Sequence, residues 1–384
     1  MIKKNYILKF ILIIIVFACS CKNQDNDDDS DSIKIDIDKY ISDEPIKFSD
    51  IFSDYYFIPL KTSQNLKIGT IDDIIIKDGS IFIFDKLQTK KVYSFNMKGQ
   101  LIGEIGNIGK GPGEHIHPLD FDVISNESKV AIYDGSCRRL NFFNYQGVYL
   151  NNIAFEKGFQ SFIFTKDLIF FYQTPFSGLS SKEKLLYIYD HKGKEIGSFL
   201  KNDGIPQRGL ILDKGKQFFQ INNDVRFTML YNDNIFTINK AGVKPYITLN
   251  SKLYKVSDNE LLQLLNSRRR REINKILNLR EYSENDEMCF FKFDIGVKTY
   301  STFHFFESNK TICTHRLLDD LTLTFPKLFK LANNMFIGII DYQGFSRLKE
   351  SIIADKLNIK KDEKESMLEA LDNPVIVLYK LKDQ

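Results

Sequence analysis

The stretch from Gly106 to Pro118 (GNIGKGPGEHIHP) holds the densest set of residues that could carry chemistry. Its glycines can expose backbone N–H groups to an anion, and Lys110 would add a positive charge. The order Gly-x₄-Gly-Lys-Ser/Thr of a P-loop is absent. Two interpretations stay open, a ligand-binding loop and a connection that glycine and proline merely shape. The candidate ligand-binding residues are Lys110, Gly111, Pro112, Gly113, Glu114, His115 and His117.

A metal site at this loop is the next possibility. His115 and His117 lie near Asp120, but the chain has only 5 histidines. A zinc site needs about three or four well-placed ligands, and the other histidines lie in separate parts of the chain. We therefore expect no metal and no other cofactor.

Catalytic groups are equally hard to assemble. No Ser-His-Asp, Cys-His or paired-carboxylate arrangement emerges from the spacing of residues, so we assign no catalytic residue. An enzyme therefore has no positive support in the sequence.

A repeated hairpin pattern sets the framework that must position these residues. Each copy has an aromatic or β-branched strand, a turn that contains glycine, and a second strand. The turn glycines are 48, 46 and 49 residues apart. Further strands precede the hairpins, so each unit holds four short strands, as a β-propeller blade does. The four copies are Val92–Ile105, Leu140–Ile153, Leu186–Phe199 and Ile235–Leu249, with turn glycines Gly99, Gly147, Gly193 and Gly242.

The remaining strands predict two more blades. The early strand Tyr55–Leu60 can pair with Val375–Leu381 at the other end of the chain, which closes the ring and hides exposed edges. Helical spacing of apolar residues predicts insertions at about 257–281 and 345–371 in the last two blades. The sequence thus predicts an all-β fold, a six-bladed propeller with four-stranded blades.

Four aspartates fall on or beside the innermost strands of this propeller, namely Asp72, Asp73, Asp120 and Asp122. We expect them to line the central channel as solvated polar groups rather than as a calcium site.

The first 20 residues predict export. Lysines flank a charge-free run from Phe10 to Ala18, the pattern of a signal peptide. The run is shorter than the roughly 20 apolar residues that a membrane span needs. Residues 1–20 are therefore predicted to be removed, which deletes 3 lysines and no acids and leaves 50 basic against 50 acidic residues. A chain with no net charge lacks the overall excess of positive charge that is typical of nucleic-acid-binding proteins.

The cysteines that follow this run suggest a lipid anchor. The order Ala18-Cys19-Ser20-Cys21 resembles the lipobox of bacterial lipoproteins, which implies acylation of Cys21, with Cys19 as the alternative. An ordinary secreted protein is the other interpretation. Residues 21–48 are predicted to be an acidic flexible tether, because Asp25–Asp31 contains five aspartates and no large apolar residue. The body of the protein is predicted to span 49–384.

A wider resemblance joins these parts. FIPLKT, SIFIFD, the loop IGNIGKGPGEHIHP and the terminal NPVIVLYKL resemble the six-bladed β-propeller lipoproteins common in gut Bacteroidota. The first two blades also look like NHL repeats. The resemblance covers essentially the whole mature chain. It implies an outer-membrane lipoprotein that faces the cell surface, with the periplasmic face as the alternative.

Two functions remain open from the sequence. The first is a non-catalytic binding or scaffold module for a glycan, a peptide or an outer-membrane protein. The second is a hydrolase or lyase that acts on an extracellular glycan or peptide. They differ in the central cavity, where the first predicts a polar or aromatic platform and the second predicts converging titratable groups or a metal.

Overall fold

The computed structural model describes residues 32–382 apart from 63–65, 67, 174–182, 202–215, 230–231, 256–259, 261–275, 333, 358, 360–363, 366 and 369–372. Six small antiparallel sheets form a ring, so the predicted six-bladed β-propeller is confirmed. Cys19, Cys21 and the acidic run Asp25–Asp31 lie outside the described residues. Within the described part of the chain, no helix has the length and apolar character that a bilayer span requires.

The described residues begin with short elements that precede the blades. These elements are β1 (Ile33–Asp36), β2 (Ile41–Ser42), β3 (Ile46–Lys47), the short helix α1 (Phe48–Ile51) and β4 (Phe52–Pro59).

Blades 1 to 3 follow in chain order, each with its innermost strand first. Blade 1 is β5 (Asp73–Lys77), β6 (Ser80–Asp85), β7 (Lys91–Asn96) and β8 (Leu101–Ile105). The two-residue strands β9 (Asn107–Ile108) and β10 (Glu114–His115) lie in the connection to the next blade. Blade 2 is β11 (Pro118–Ile124), β12 (Lys129–Asp134), β13 (Arg139–Asn144) and β14 (Tyr149–Ala154). Blade 3 is β15 (Ser161–Phe164), β16 (Ile169–Tyr172), β17 (Lys184–Tyr189) and β18 (Glu195–Lys201).

Blades 4 to 6 complete the ring. Blade 4 is β19 (Phe218–Ile221), β20 (Asp224–Phe227), β21 (Asn234–Asn239) and β22 (Gly242–Asn250). Blade 5 is β23 (Ile276–Glu284), β24 (Met288–Ile295), β25 (Lys298–Phe305) and β26 (Lys310–Thr314). After β27 (Leu317–Leu318), blade 6 uses β28 (Lys327–Ala332), β29 (Met335–Ile340), the helix α2 (Tyr342–Ile353), β30 (Val375–Leu381) and, as its outer strand, β4.

The ring closes through antiparallel pairing of β4 with β30, from Pro59 opposite Val375 to Phe52 opposite Leu381. This is the closure that the sequence predicted. The six innermost strands contact one another in ring order, including β28 of blade 6 against β5 of blade 1. Closure leaves no gap in the ring of blades, and β4 covers the edge that β30 would otherwise expose.

Apolar packing fills the space between neighbouring blades. In β6 (SIFIFD), Ile81 and Ile83 pack towards blade 6, whereas Phe82 and Phe84 pack towards blade 2. Successive side chains of a strand point to opposite faces, and both faces of a blade are covered here. Every residue of β6 is therefore buried.

The start of the domain differs from the expected boundary at residue 49. Strand β1 adds in parallel to β22 as a fifth strand of blade 4, and β2 adds in the same way to β26 of blade 5. Ile35 and Ile37 of this segment are themselves buried in the core between blades 4 and 5. Residues 33–48, which we assigned to the tether, thus belong to the folded body because they supply apolar side chains and strand hydrogen bonds.

The two helical insertions have different outcomes. Helix α2 overlaps the range predicted at 345–371 and begins earlier, at Tyr342. Of the range 257–281, the structure describes Glu260 and residues 276–281, and the latter begin β23 rather than a helix. Backbone pairing with β24 overrides the helical spacing there. The remainder of that range lies outside the described residues.

The repeated turn glycines have a physical role in holding blades together. Gly147 lies in the third turn of blade 2 with φ +89°, and a Cβ at this position would lie 2.1 Å from the carbonyl oxygen of Glu104 on β8. Gly99 makes the equivalent contact with Pro59 on β4, at 2.0 Å. The turn of each of these blades therefore packs edge-on against the outer strand of the preceding blade. Only glycine permits both the backbone conformation and the close approach.

Replacing Gly147 with alanine tests this contact against a matched control. Gly79 also has a positive φ, +65°, but a Cβ at that position would have nothing within 4 Å of it. We expect Gly147→Ala to lower the free energy of unfolding by about 2 kcal/mol more than Gly79→Ala, because only the first adds an inter-blade collision to the backbone strain. Urea unfolding of both variants measures the difference. Equal losses would contradict the role of the contact.

Candidate functional site

The Gly106–Pro118 loop is held by its own hydrogen bonds. The Arg139 guanidinium donates to the carbonyl oxygens of Gly111 at 3.0 Å and Glu114 at 2.6 Å. The Glu114 carboxylate accepts a hydrogen bond from the Gly111 backbone N–H at 2.7 Å. The parallel pairing of β9 with β10 draws the two ends of the loop together. Several polar groups that could have met a ligand therefore stabilise the loop itself.

His115 lies inside the protein rather than at its surface. Its side chain is fully buried, and Nε2 donates to the carbonyl oxygen of Lys90. A Cβ on Gly106 would lie 2.4 Å from the His115 ring, so that glycine makes room for the imidazole. Burial lowers the pKa of His115 more than the hydrogen bond to Lys90 raises it. A neutral, enclosed imidazole packs the loop and does not reach a ligand.

Asp134 holds the remainder of this connection. Its carboxylate accepts hydrogen bonds from the backbone N–H groups of Ile116 at 2.9 Å and His117 at 3.2 Å. These bonds keep the pKa of Asp134 below its usual value although burial acts in the opposite direction. Among the candidate residues, the side chains of Lys110, Pro112 and His117 remain exposed.

Metal-binding residues do not converge in the described part of the chain, where no group of three or more His, Cys, Asp or Glu side chains could hold an ion. The histidines of the later blades take part in local contacts instead. His191 stacks on Phe164, and Nδ1 of His304 lies 2.9 Å from the Thr311 hydroxyl.

The aspartates predicted on innermost strands satisfy the inner edge of the neighbouring blade. Asp120 of β11 accepts hydrogen bonds from the Ser161 hydroxyl at 2.6 Å and the Phe162 N–H at 2.9 Å. Asp122 accepts the N–H of Phe164 at 2.8 Å. The free N–H groups at the edge of β15 thus find acceptors on β11. These two carboxylates join blades 2 and 3, which is a structural task.

Lys216 balances the charge of this pair. Its ammonium donates to the carbonyl oxygen of Phe121 at 2.6 Å and lies 3.6 Å from Asp122 and 3.9 Å from Asp120. Burial alone would lower the pKa of Lys216, but the carboxylates of Asp122 and Asp120 raise it above the ordinary lysine value. The lysine therefore stays charged inside the channel.

The other two aspartates have separate partners. Asp73 on β5 pairs with Lys330 on β28 at 3.2 Å, which joins blades 1 and 6 across the ring closure. Asp72 precedes β5 and accepts the backbone N–H of Lys86 at 2.8 Å.

A cavity of about 670 Å³ occupies one end of the central channel, and all six innermost strands or their following turns contribute to its wall. We call this end the channel mouth. Its lining includes Lys77, Asn222, Asp286, Asn334 and Met335, which lie at or just beyond the ends of strands β5, β19, β23 and β28. Cavities of this size suit small ligands.

The channel mouth and the Gly106–Pro118 loop lie at opposite ends of the propeller. The mouth is where innermost strands end, whereas the loop precedes the start of the innermost strand β11. Sequence reasoning missed the mouth, because its residues come from turns that are far apart along the chain. The one available signal was the position of several of them at or just after the ends of the innermost strands β5, β19, β23 and β28.

Comparisons with known proteins agree with this architecture. No curated protein matches the chain. A solved protein of Bacteroides fragilis, described as exported, is 13% identical over 90% of this chain and 99% of its own, with a TM-score of 0.73. A member of the DUF4221 family from Bacteroides vulgatus is 11% identical over 86% of this chain and 97% of its own, with a TM-score of 0.50. A family model for a domain of unknown function, DUF4934, matches residues 32–380. The chain therefore belongs to the DUF4934 family.

Proposed function

We propose that this protein is an exported, lipid-anchored binding module whose ligand occupies the channel mouth. The observation that carries the proposal is the open cavity that all six blades build at one end of the channel. Binding residues are usually found on loops and turns that a rigid scaffold positions. The mouth has this arrangement, because Asn222, Asp286 and Asn334 lie in turns at the ends of paired strands.

The charges inside the channel support binding rather than catalysis. Lys216 is matched by Asp120 and Asp122, and Lys330 is matched by Asp73. Glu284 forms an ion pair with Arg226 at 2.9 Å. Groups that are committed to ion pairs between strands and blades stabilise the ring and are poorly placed to exchange protons with a substrate.

We therefore propose the channel mouth, rather than the Gly106–Pro118 loop, as the binding site. The loop uses Arg139, Glu114 and Asp134 to satisfy its own backbone. The mouth instead presents exposed side chains around an open cavity, such as Gln220, Asn222 and Asp286.

Anchoring is proposed from the sequence before the folded body. The lipobox-like residues before Cys21 and the acidic run that follows are typical of lipoproteins directed to the cell surface. The neighbour from Bacteroides fragilis is itself described as exported. Several acyl chains, each contributing about 0.8 kcal/mol per buried CH₂, would hold the protein on the outer membrane.

Labelling with palmitate tests the anchor. In a Bacteroidota host we expect the wild-type protein to incorporate labelled palmitate and to fractionate with the outer membrane. Cys21→Ser should abolish labelling, and Cys19→Ser is the matched control that keeps it. Loss of labelling only in Cys19→Ser would place the acyl group there. Continued labelling of the double variant would contradict acylation at either cysteine.

Filling the mouth with a bulky side chain tests the binding site. Gln220 lines the cavity and is exposed, whereas Gln146 is exposed outside it. A thermal-shift screen of tripeptides and oligosaccharides would identify compounds that bind the wild-type protein. A compound present at a hundred times its Kd should stabilise the wild type by about 2.7 kcal/mol. Gln220→Trp should remove most of this stabilisation, and Gln146→Trp should retain it. Equal stabilisation of both variants, or no stabilising compound in the panel, would contradict the proposal.

A further inference from the structure

The rim of the channel mouth carries three chemically different features in ring order. Blade 5 presents two carboxylates, the boundary of blades 6 and 1 presents an apolar cleft, and the boundary of blades 1 and 2 presents an ammonium group. The residues that form each of these three features line the cavity.

The carboxylates belong to Asp286 and Glu287, in the turn between β23 and β24. Asn285 fixes this turn, because its side-chain oxygen accepts the backbone N–H groups of Glu287 at 3.0 Å and Met288 at 2.9 Å. Its amide also donates to Asn334 of blade 6 at 3.0 Å. Both carboxylates are exposed and line the cavity, and no ion pair joins either one to another described residue.

The ammonium group belongs to Lys77, at the end of β5. It donates to the carbonyl oxygen of Val123 on β11 at 3.0 Å, which fixes its position at the mouth. Lys216 and Lys330 also line the cavity, and each has a carboxylate partner. Among the described residues, no carboxylate lies within ion-pairing distance of Lys77. Of the lysines that line the described cavity, Lys77 is therefore the one that can pair with an incoming anion without displacing a carboxylate.

The apolar cleft lies between these charged groups. Ile76 and Met97 come from blade 1 and Met335 comes from blade 6, and these three side chains are at least partly exposed. Ile337 and Leu378 of blade 6 form the buried floor beneath them. Met97 is 40% exposed although it lines the cavity. Methionine side chains adapt to differently shaped apolar groups, so the cleft suits a variable apolar side chain.

We propose that the channel mouth binds a short peptide that lies across it. The amino group lies against Asp286 and Glu287, an apolar side chain enters the cleft, and the carboxylate pairs with Lys77. This inference rests on the proposed function of the mouth and names its ligand class. A neutral oligosaccharide would leave both charged positions unmatched. Of the two aromatic lining residues described, Phe218 is buried and Phe219 is partly exposed, so a sugar has at most one ring to stack on.

Calorimetry with the tripeptide Gly-Gly-Leu tests the proposal on the full chain that follows the predicted signal peptide, residues 21–384. N-acetyl-Gly-Gly-Leu, Gly-Gly-Leu amide and Gly-Gly-Gly remove the amino charge, the carboxylate and the apolar side chain in turn. Each should bind about tenfold more weakly than Gly-Gly-Leu, a loss of about 1.4 kcal/mol.

Variants of the mouth should reproduce these losses selectively. Lys77→Met should weaken Gly-Gly-Leu about tenfold but leave the affinity of the amide unchanged, because the amide has no carboxylate to lose. The double variant Asp286→Asn, Glu287→Gln should act in the same way on the acetylated peptide. Lys98→Met and Asp167→Asn remove exposed charges from turns at the same end of the propeller, outside the cavity, and should change nothing.

The outcomes separate the two proposals. Capped peptides that bind as tightly as Gly-Gly-Leu, or no peptide binding at all, would overturn the peptide assignment. If a neutral oligosaccharide then binds and Gln220→Trp abolishes its binding, the mouth remains the binding site and only the ligand class is wrong. If Gln220→Trp leaves all binding intact, both proposals fail.

Discussion

The pairing of β4 with β30 is the interaction on which the rest of the structure depends. It unites residues 52–59 with residues 375–381 and turns three strands of blade 6 into a complete four-stranded blade. Blade 6 then supplies Lys330 to Asp73 of blade 1 and the Met335 side of the apolar cleft. Without this pairing, the channel would have no closed wall and the mouth would lack its boundary between blades 6 and 1.

Ring closure also determines which polar side chains are needed to stabilise the blades and which remain accessible to a ligand. The innermost strands have edges without a further strand, and their N–H groups need acceptors. Asp120 and Asp122 provide such acceptors to β15, so acidic residues deep in the channel serve the ring. Beyond the ends of the strands there are no strand-edge N–H groups that need acceptors. Polar residues of the turns, such as Asp286 and Asn222, then remain available at the mouth.

Local patterns in the sequence predicted the fold well, because a blade is built from hairpins that are short along the chain. Turn glycines such as Gly99 and Gly147 marked the repeat, and the structure shows that they also seat each turn against the preceding blade. The segment Ile33–Ile37 alternates apolar and polar residues, a strand signal that the acidic run before it obscured. The helical spacing near residue 276 was misleading, since pairing with β24 decides the conformation there.

The candidate site was harder to predict for a physical reason. The Gly106–Pro118 loop concentrates conspicuous residue types in one stretch, but burial of His115 and the bonds of Glu114 appear only in three dimensions. The mouth gathers ordinary residues from all six blades. Their proximity follows from ring geometry and from no single motif.

Hydrogen exchange with the most stabilising compound of the peptide and oligosaccharide panel tests most directly which end of the propeller binds ligand. Binding at the mouth should slow exchange, on addition of the compound, at the turns that follow β5, β19 and β23, which border the mouth. Exchange in residues 106–118 should stay unchanged. Protection confined to residues 106–118, with the mouth turns unaffected, would instead place the binding site at the opposite end of the channel.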